Sequence, residues 1–192
     1  MATGSRLDAL AVLADQAAAC TRCPLAATRT QVVFGAGDPD AALMIVGEAP
    51  GRDEDRDGLP FVGRSGRLLD TLLADEVGID RTQVYIANVI KCRPPDNRNP
   101  KAEEIAACRH YLDDQIALVA PIVVVTLGNF ATKLLLTTDL GITAVRGTAY
   151  PLGDTKVVPT FHPAAALRGS ADVLTSMRDD FARAAQLIGR AA

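Results

Sequence analysis

The chain has 192 residues and a formal net charge of −3, and 48% of its residues are hydrophobic. This length suits one domain with a complete core, which we expect to span residues 1–192. The acidic balance argues against a protein that coats nucleic acid nonspecifically, although it allows a local basic face. No apolar run approaches the roughly 18 residues of a membrane span.

The first twenty residues have the pattern of an amphipathic helix. Asp8 and Asp15 interrupt its apolar stretch, and no basic segment precedes it, so a signal peptide is not expected. We therefore expect a cytoplasmic protein that has no membrane partner and no disulfides.

Strands and helices alternate along the rest of the chain. Four short apolar runs predict strands buried on both faces, at 42–49, 83–90, 121–128 and 155–161. Helical patterns cover 65–77, 99–120, 128–136 and 170–192. In the second of these, Asn99 is the expected N-cap and Pro100 the first helical residue. The alternation predicts an α/β fold with a parallel sheet and helices on both faces, whose sites gather at the carboxyl ends of the strands.

Four cysteines are present, and two of them form a C-x2-C pair. They are Cys20, Cys23, Cys92 and Cys108. They could be four buried apolar side chains, because free cysteine is often found in cores. Zinc and a [4Fe–4S] cluster also accept four thiolates. The single C-x2-C pair, with Pro24 directly behind it, favours iron–sulfur over zinc, but the residues leave both open.

Unusual polar and aromatic residues follow the predicted strands. Glu48 lies in "GEAPG" after the first strand, and Phe61 lies in the loop sequence "GLPFVGRSG", where a stacking platform is plausible. Asn88 interrupts the apolar run "VYIANVI", and a buried amide needs hydrogen-bond partners. His162 lies after the last strand, held extended by Pro163. An ordinary turn or a core ring is the simpler alternative for Glu48 and Phe61.

Taken together, the motifs are specific. The segments "GEAPGRDEDRDGLPFVGRSGRLLD", "VYIANVIKCRPPDNRNP" and "FHPAAAL", with the four cysteines, resemble the family 4 uracil-DNA glycosylases, the iron–sulfur branch of their superfamily, from about Cys20 to Leu167. The resemblance implies a three-layer α/β/α sandwich around a central four-stranded parallel sheet. It also implies a [4Fe–4S] cluster on Cys20, Cys23, Cys92 and Cys108.

The resemblance further implies an activity and a partner. The partner is uracil-containing DNA, double- or single-stranded, and the protein is expected to act as a monomer. Such an enzyme flips uracil out of the stack and hydrolyses its N-glycosidic bond, which releases free uracil and leaves an abasic site. The loop "IKCRPPDNRNP" has no histidine to trap the product covalently and the pocket has no evident lysine for strand cleavage, so a monofunctional enzyme with turnover is expected.

By the same resemblance, five residues contact uracil. Phe61 stacks on the flipped base, and Asn88 reads its O4 and N3–H edge, which excludes cytosine. The backbone around Glu48 and Ala49 binds another edge of the ring. His162 donates to O2 and stabilises the departing anion.

The residue that positions the attacking water is less clear from the motifs. Related enzymes carry an aspartate at the place of Ala49, and that aspartate is missing here. Glu48 is the first candidate, and Glu54, oriented by Asn97, is the second.

A basic face beside the pocket is expected to contact DNA. Its members are Lys91, Arg93, Arg98, Lys101 and Arg168, which Arg64 and Arg67 would extend. Ala166 or Leu167 would fill the gap left by the flipped base as a wedge.

Two alternatives belong to other classes of protein. One is a small-molecule enzyme that binds a nucleotide at "GEAPG", although the chain lacks G-x-G-x-x-G and the P-loop lysine. The other is a noncatalytic module that binds uracil-containing or abasic DNA, against which the presence of Glu48, Asn88 and His162 argues. Release of uracil from DNA would exclude both.

Overall fold

A computed structural model of the chain describes residues 3–169 and 171–189. In these residues one sheet contains six strands: β1 (Ala36–Gly37), β2 (Leu43–Gly47), β3 (Tyr85–Asn88), β4 (Val123–Leu127), β5 (Tyr150–Leu152) and β6 (Thr155–Thr160). Their order across the sheet is β1-β3-β2-β4-β6-β5.

The four central strands, β3, β2, β4 and β6, are parallel. The predicted α/β fold around a four-stranded parallel sheet is therefore confirmed for the centre of the sheet. β1 and β5 pair antiparallel at the two edges. These edge strands were not predicted, because segments of two and three residues are too short for an apolar pattern to register.

Helices lie before, between and after the strands. They are α1 (Thr3–Ala18), α2 (Arg52–Asp57), α3 (Arg64–Leu72), α4 (Ala102–Val119), α5 (Asn129–Leu136), α6 (Ile142–Val145), α7 (Pro163–Ala166) and α8 (Ala171–Gly189). A π-helical turn over Leu73–Val77 continues α3, so the predicted helix over 65–77 is present in two parts. Residues 1, 2, 170 and 190–192 of the predicted terminal helices lie outside the described residues.

The start of α4 corrects one prediction. Lys101, and not Asn99, is the N-cap residue of this helix. The carboxylate of Glu104 accepts the main-chain N–H of Lys101 at 2.8 Å, and this bond fixes the first turn beyond Pro100.

Side chains that alternate along the strands build a core on each face of the sheet. Met44 and Val46 belong to the core that α1, α4 and α5 cover, whereas Leu43 and Ile45 belong to the core that α3 and α8 cover. The molecule is therefore the predicted three-layer sandwich. Truncating one fully buried leucine in such a core costs about 2–5 kcal/mol. No helix in the described part of the chain is long and apolar enough to cross a membrane.

Parallel strands bring their carboxyl ends to one edge of the sheet. Gly47 at the end of β2 is directly opposite Asn88 at the end of β3. Beyond this pair, Gly47 O accepts from Val89 N and Glu48 O accepts from Ile90 N, at 2.9 and 3.2 Å. The two loops therefore leave the sheet side by side.

Candidate active site and cysteine site

A cavity of about 640 Å³ opens at the carboxyl ends of the central strands. All five residues predicted to contact the base line it: Glu48, Ala49, Phe61, Asn88 and His162. The second predicted acid, Glu54, and two of the predicted basic residues, Arg98 and Arg168, line it as well. Residues from loops far apart in sequence thus meet in one pocket.

Asn88 lines this pocket and has an amide oxygen that is unpaired within the described residues. Its side chain is 2% exposed, and Oδ1 has no hydrogen-bond partner within the described residues. Leaving a buried acceptor unpaired costs about 1–3 kcal/mol, so this amide is set up for a ligand with a matching donor.

Gly47 makes the space for this arrangement. A Cβ atom on Gly47 would lie 2.4 Å from Asn88 Oδ1 and 2.6 Å from Phe61 Cζ. No side chain fits at the end of β2, and the amide and the ring can therefore lie directly against the backbone.

Phe61 is held in an uncommon conformation. Its φ is +53°, a left-handed value that costs a non-glycine residue about 1–3 kcal/mol. Arg81 donates to the carbonyls of Phe61 and Pro60 at 3.1 and 2.9 Å, and a Cβ on Gly66 would lie 1.7 Å from Phe61 O. These contacts fix the ring, whose centroid lies 6.0 Å from that of His162 at an interplanar angle of 32°.

His162 is a neutral hydrogen-bond donor. Nδ1 accepts the main-chain N–H of Ala164 at 3.1 Å, so the proton of the neutral ring is assigned to Nε2. Burial, and secondarily the charge of Arg168, lowers the pKa of His162 to about 4. The imidazole is therefore uncharged at neutral pH, and its Nε2–H group, which has no acceptor among the described residues, can donate to a ligand.

The two candidate acids have opposite surroundings. Glu54 Oε1 accepts the N–H groups of Val62 and Gly63 at 3.1 and 3.2 Å, and Oε2 accepts that of Gly51 at 3.1 Å. The Glu48 carboxylate has no hydrogen bond within the described residues, and burial raises its pKa. Glu54 therefore braces the loops around the pocket, whereas the oxygens of Glu48 are available.

Asn97 does not orient Glu54, contrary to the prediction. Its Oδ1 accepts from Arg93 Nε at 2.7 Å, while the oxygens of Glu54 are bonded to main-chain N–H groups. Asn97 instead ties Arg93 to the loop after β3.

The prediction that Lys91 contacts DNA is wrong. The side chain is 1% exposed, and Nζ donates to the carbonyl of Asn88 and to Oε1 of Gln115, at 2.8 and 2.5 Å. Burial lowers the pKa of Lys91 to about 7, partly offset by Cys108. A lysine that follows a strand end has turned inwards instead of joining the surface.

The other predicted DNA contacts lie at or near the surface around the pocket. Arg93 lines a neighbouring cavity of about 550 Å³ with Arg52 and Arg64. Arg98 forms an ion pair with Glu104, with 2.6 Å between Nη2 and Oε1.

The remaining residues predicted to contact DNA differ in exposure. Lys101, Leu167 and Arg168 are exposed, whereas Ala166 is partly buried against the core beneath α3 and α8.

All four cysteines line a further cavity, which is separate from the pocket. Cys20 and Cys23 come from the segment after α1, Cys92 from the loop after β3, and Cys108 from α4. Arg29 Nη1 donates to Cys92 Sγ at 3.4 Å and the main-chain N–H of Lys91 donates to Cys108 Sγ at 3.3 Å. Within the described ranges, no three histidine, cysteine or acidic side chains are arranged tightly enough to hold a single metal ion.

The donor set of this cysteine site fits a sulfur-ligated cofactor. Four thiols from three segments face one cavity, and N–H groups point at two of the sulfurs, as they do around iron–sulfur clusters. Burial raises the pKa of the Cys108 thiol to about 11. A metal binds the deprotonated sulfur, so binding releases this proton.

Sequence reasoning missed several residues that shape these sites. Gly47 and Gly66 allow the close approaches around Phe61, and Arg29 contacts the cysteine site. The two glycines carried a signal, because Gly47 begins the segment "GEAPG" and Gly66 ends the segment "GLPFVGRSG". Arg29 carried none, because its position against Cys92 depends on the folded chain.

Comparison with known proteins gives consistent matches. The family model described as "Uracil DNA glycosylase superfamily" matches residues 34–186. The type-4 uracil-DNA glycosylase of Thermotoga maritima is 48% identical over 174 residues, which cover 88% of this chain and 89% of that protein. That of Sulfurisphaera tokodaii is 45% identical over 170 residues, 84% of this chain and 77% of that protein. That of Archaeoglobus fulgidus is 39% identical over 192 residues, 96% of each.

Proposed function

Since this chain belongs to the uracil DNA glycosylase superfamily, we propose that it removes uracil from DNA by hydrolysing the N-glycosidic bond. The family predicted from the motifs is confirmed by its type-4 relatives. The products are free uracil and an abasic site in uracil-containing DNA, double- or single-stranded. The observation that carries this function is the Asn88 oxygen, unpaired within the described residues, on a residue whose pocket is shared with Phe61 and the neutral His162. The chain is proposed to act as a monomer of one domain.

Base recognition is assigned to Asn88 and Phe61. Asn88 Oδ1 would accept from uracil N3–H, and its amino group would donate to O4. Cytosine has an acceptor at N3 and a donor at N4, so it would leave both groups of the amide unpaired, and a site of this kind rejects it strongly. The Phe61 ring, fixed by Arg81, supports the base by stacking, and the main chain of Glu48 and Ala49 borders the ring edge.

His162 is assigned to the leaving group. Negative charge develops on the departing uracil, and the Nε2–H group of His162 would donate to O2. One well-placed donor in a water-excluding site contributes about 3 kcal/mol. A neutral imidazole supplies this donor without first taking up a proton, which the low pKa of about 4 supports.

Glu48 is assigned to the attacking water. Its carboxylate is half-buried, lines the pocket and has no hydrogen bond within the described residues. A raised pKa strengthens a carboxylate as a base, provided that the pH remains above it. Glu54 is a poorer candidate, because three N–H groups already occupy its oxygens.

DNA binding is assigned to the surface around the pocket mouth. Arg93, Arg98, Lys101 and Arg168 would contact phosphates, and Arg98 and Arg168 line the pocket itself. Leu167 is 38% exposed just beyond α7 and is the better wedge, since Ala166 is partly buried.

The cysteine site is assigned to a [4Fe–4S] cluster held by Cys20, Cys23, Cys92 and Cys108. When bound, the cluster would supply a covalent cross-link between the segment after α1, the loop after β3 and α4. None of the four cysteines lines the uracil pocket, and this separation supports a structural task. Iron and sulfide analysis with a visible absorption spectrum tests this assignment, and a protein that carries zinc alone would contradict it.

A cleavage assay with purified, iron-loaded protein tests the function. An oligonucleotide containing one uracil is incubated with the protein and then treated with alkali, and matched oligonucleotides contain cytosine or thymine at the same position. We expect alkali-labile strands and free uracil only from the first substrate. If the protein binds the oligonucleotide without releasing uracil, it is a noncatalytic module. If it neither binds the oligonucleotide nor releases uracil, the assignment to DNA is wrong.

A further inference from the structure

Lys91 occupies an unusual position for a lysine. It is among the largest fully buried side chains, at 1% exposure, and no carboxylate in the described part of the chain forms an ion pair with it. A buried amine is costly unless its N–H groups are bonded. Here Nζ is bonded to the main-chain carbonyl of Asn88 and to the side chain of Gln115, and it lies 5.8 Å from the centre of the Phe34 ring.

The same residue borders the cysteine site. Its main-chain N–H is bonded to Cys108 Sγ, and Lys91 lines the cavity that all four cysteines face. Lys91 therefore links two places. Its main-chain N–H is bonded to Cys108 Sγ, and its side chain is bonded to the carbonyl of Asn88.

Gln115 anchors the amine of Lys91. This glutamine is 0% exposed on α4, the helix that also carries Cys108. Its Nε2 donates to the carbonyl of Phe34 and to the hydroxyl of Tyr85, at 2.9 and 3.2 Å. Because the glutamine is held from both sides, the position of Lys91 Nζ, and with it the Asn88 carbonyl, is tied to α4.

We propose that Lys91 is a positioning residue that couples the cysteine site to the base-reading amide of Asn88. The inference rests on the proposed function. The side chain of Asn88 lines the pocket, and Lys91 restrains the main chain of Asn88 through the hydrogen bond to its carbonyl oxygen. A displacement of a reading group by about 1 Å can cost about 100-fold in activity. A cluster bound at the cysteine site should then raise the affinity for uracil, and bound uracil should raise the affinity for the cluster by the same factor, because coupling between binding sites is reciprocal.

Lys91→Met tests the restraint on Asn88. Methionine fills a similar volume but donates no hydrogen bond to Asn88 O or Gln115 Oε1. We expect the variant to keep its iron and to bind free uracil about tenfold or more weakly, since Asn88 loses its restraint. Titration calorimetry with uracil and iron analysis measure the two quantities.

Leu112→Ala is the matched control for lost stability. Leu112 is fully buried in the core that also contains Cys108 and Ile90, and it makes no contact with the pocket. This variant should melt at a lower temperature but bind uracil as the wild type does. Equal losses of uracil affinity in both variants would overturn the proposal, because general loosening of the core would then explain them.

Iron release tests the coupling directly. In the wild type, saturating uracil should slow the loss of the cluster's visible absorbance when a chelator is added. Lys91→Met should remove this protection, and Leu112→Ala should retain it. If uracil does not slow iron release from the wild type, the two sites are uncoupled and the proposal is wrong.

Two further arms keep the result interpretable. If Lys91→Met does not fold, Gln115→Leu is measured in its place. This variant should lose less uracil affinity and less of the protection that uracil gives against iron release, because Lys91 Nζ keeps its bond to Asn88. Unchanged values would overturn the proposal. If the wild type neither excises uracil nor holds iron, the proposed function itself has failed. If the wild type does both and Lys91→Met behaves like it, only the coupling is refuted.

Discussion

The loop after β3 contributes residues to both the pocket and the cysteine site, and the two sites differ in how their polar groups are bonded. In the pocket, Asn88 Oδ1 and the Glu48 carboxylate have no partner within the described residues. At the cysteine site, Arg29 and the Lys91 main chain already donate to sulfurs. Unpaired polar groups in the pocket indicate a ligand that binds and leaves, whereas sulfurs that already accept N–H groups indicate a site held in one geometry.

The same contrast separates two acids within the pocket. Glu54 is bonded to three N–H groups and Glu48 to none, so we assign stability to the first and chemistry to the second.

Glu48→Gln should have the largest effect on catalysis. Removing a positioned base lowers the turnover number by about 100- to 10,000-fold. The melting temperature should hardly change, because the carboxylate makes no hydrogen bond within the described residues. Single-turnover cleavage and thermal unfolding measure the two. A variant within tenfold of the wild-type rate would remove Glu48 from the mechanism.

His162→Ala should have the second largest effect on turnover, after Glu48→Gln. Loss of one donor to the developing anion costs about 100- to 1,000-fold in turnover. His162→Gln keeps a donor on the side chain and should recover part of the rate. Single-turnover cleavage of a uracil-containing oligonucleotide measures both, and equal rates for the two variants would show that the donor is not the important feature.

The turnover number of the wild type should fall about tenfold for each pH unit on the acid side of its pH profile. Burial raises the folded-state pKa of Glu48, so its basic form is lost as the pH falls through a value above the ordinary 4.5. His162 stays neutral down to about pH 4, so it adds no limb above that value. The residual rate of Glu48→Gln, measured across the same range, should lack the acid limb. An unchanged limb in this variant would assign the titration to another group.

Glu54→Gln should chiefly affect stability. The substitution places an amino group where one of the oxygens accepts main-chain N–H groups, at a cost of about 1–3 kcal/mol. Asp53→Asn, a neighbour with a half-exposed side chain, is the control and should change the free energy of unfolding by less than about 0.5 kcal/mol. Chemical denaturation measures both. If Glu54→Gln unfolds like the wild type but loses catalysis, the roles of the two acids are reversed.

Lys101→Ala should have the smallest effect. Loss of one phosphate contact weakens DNA binding a few-fold and reduces the slope of log affinity against log salt by about 1. Lys156→Ala, on β6 and outside the pocket, should leave that slope unchanged. Binding to an oligonucleotide at several salt concentrations tests the pair, and equal slopes would exclude Lys101 from the interface.

Much of the fold and the pocket could be predicted because both depend on local patterns. Apolar runs identified the four central strands, and the convergence of parallel strand ends brought Glu48, Asn88 and His162 into one pocket. Lys91 was misplaced because a charge after a strand end reads as surface. Its burial depends on Gln115, which is distant in sequence. Glu48 and Glu54 could not be distinguished either, because the N–H groups that bind Glu54 are set by the fold of the Gly51 and Val62 loops.

The absence of a side chain at Gly47 has a consequence for how the pocket can evolve. The pocket wall at Gly47 consists of main-chain atoms. A substitution there cannot change the size of the pocket, because any Cβ at this position would clash with Asn88 and Phe61. Changes in the choice of base must therefore arise from the opposite wall and the rim. A directed-evolution library that randomises Gly47 should return glycine alone, whereas libraries at Ser65 or Ala164 should yield functional diversity.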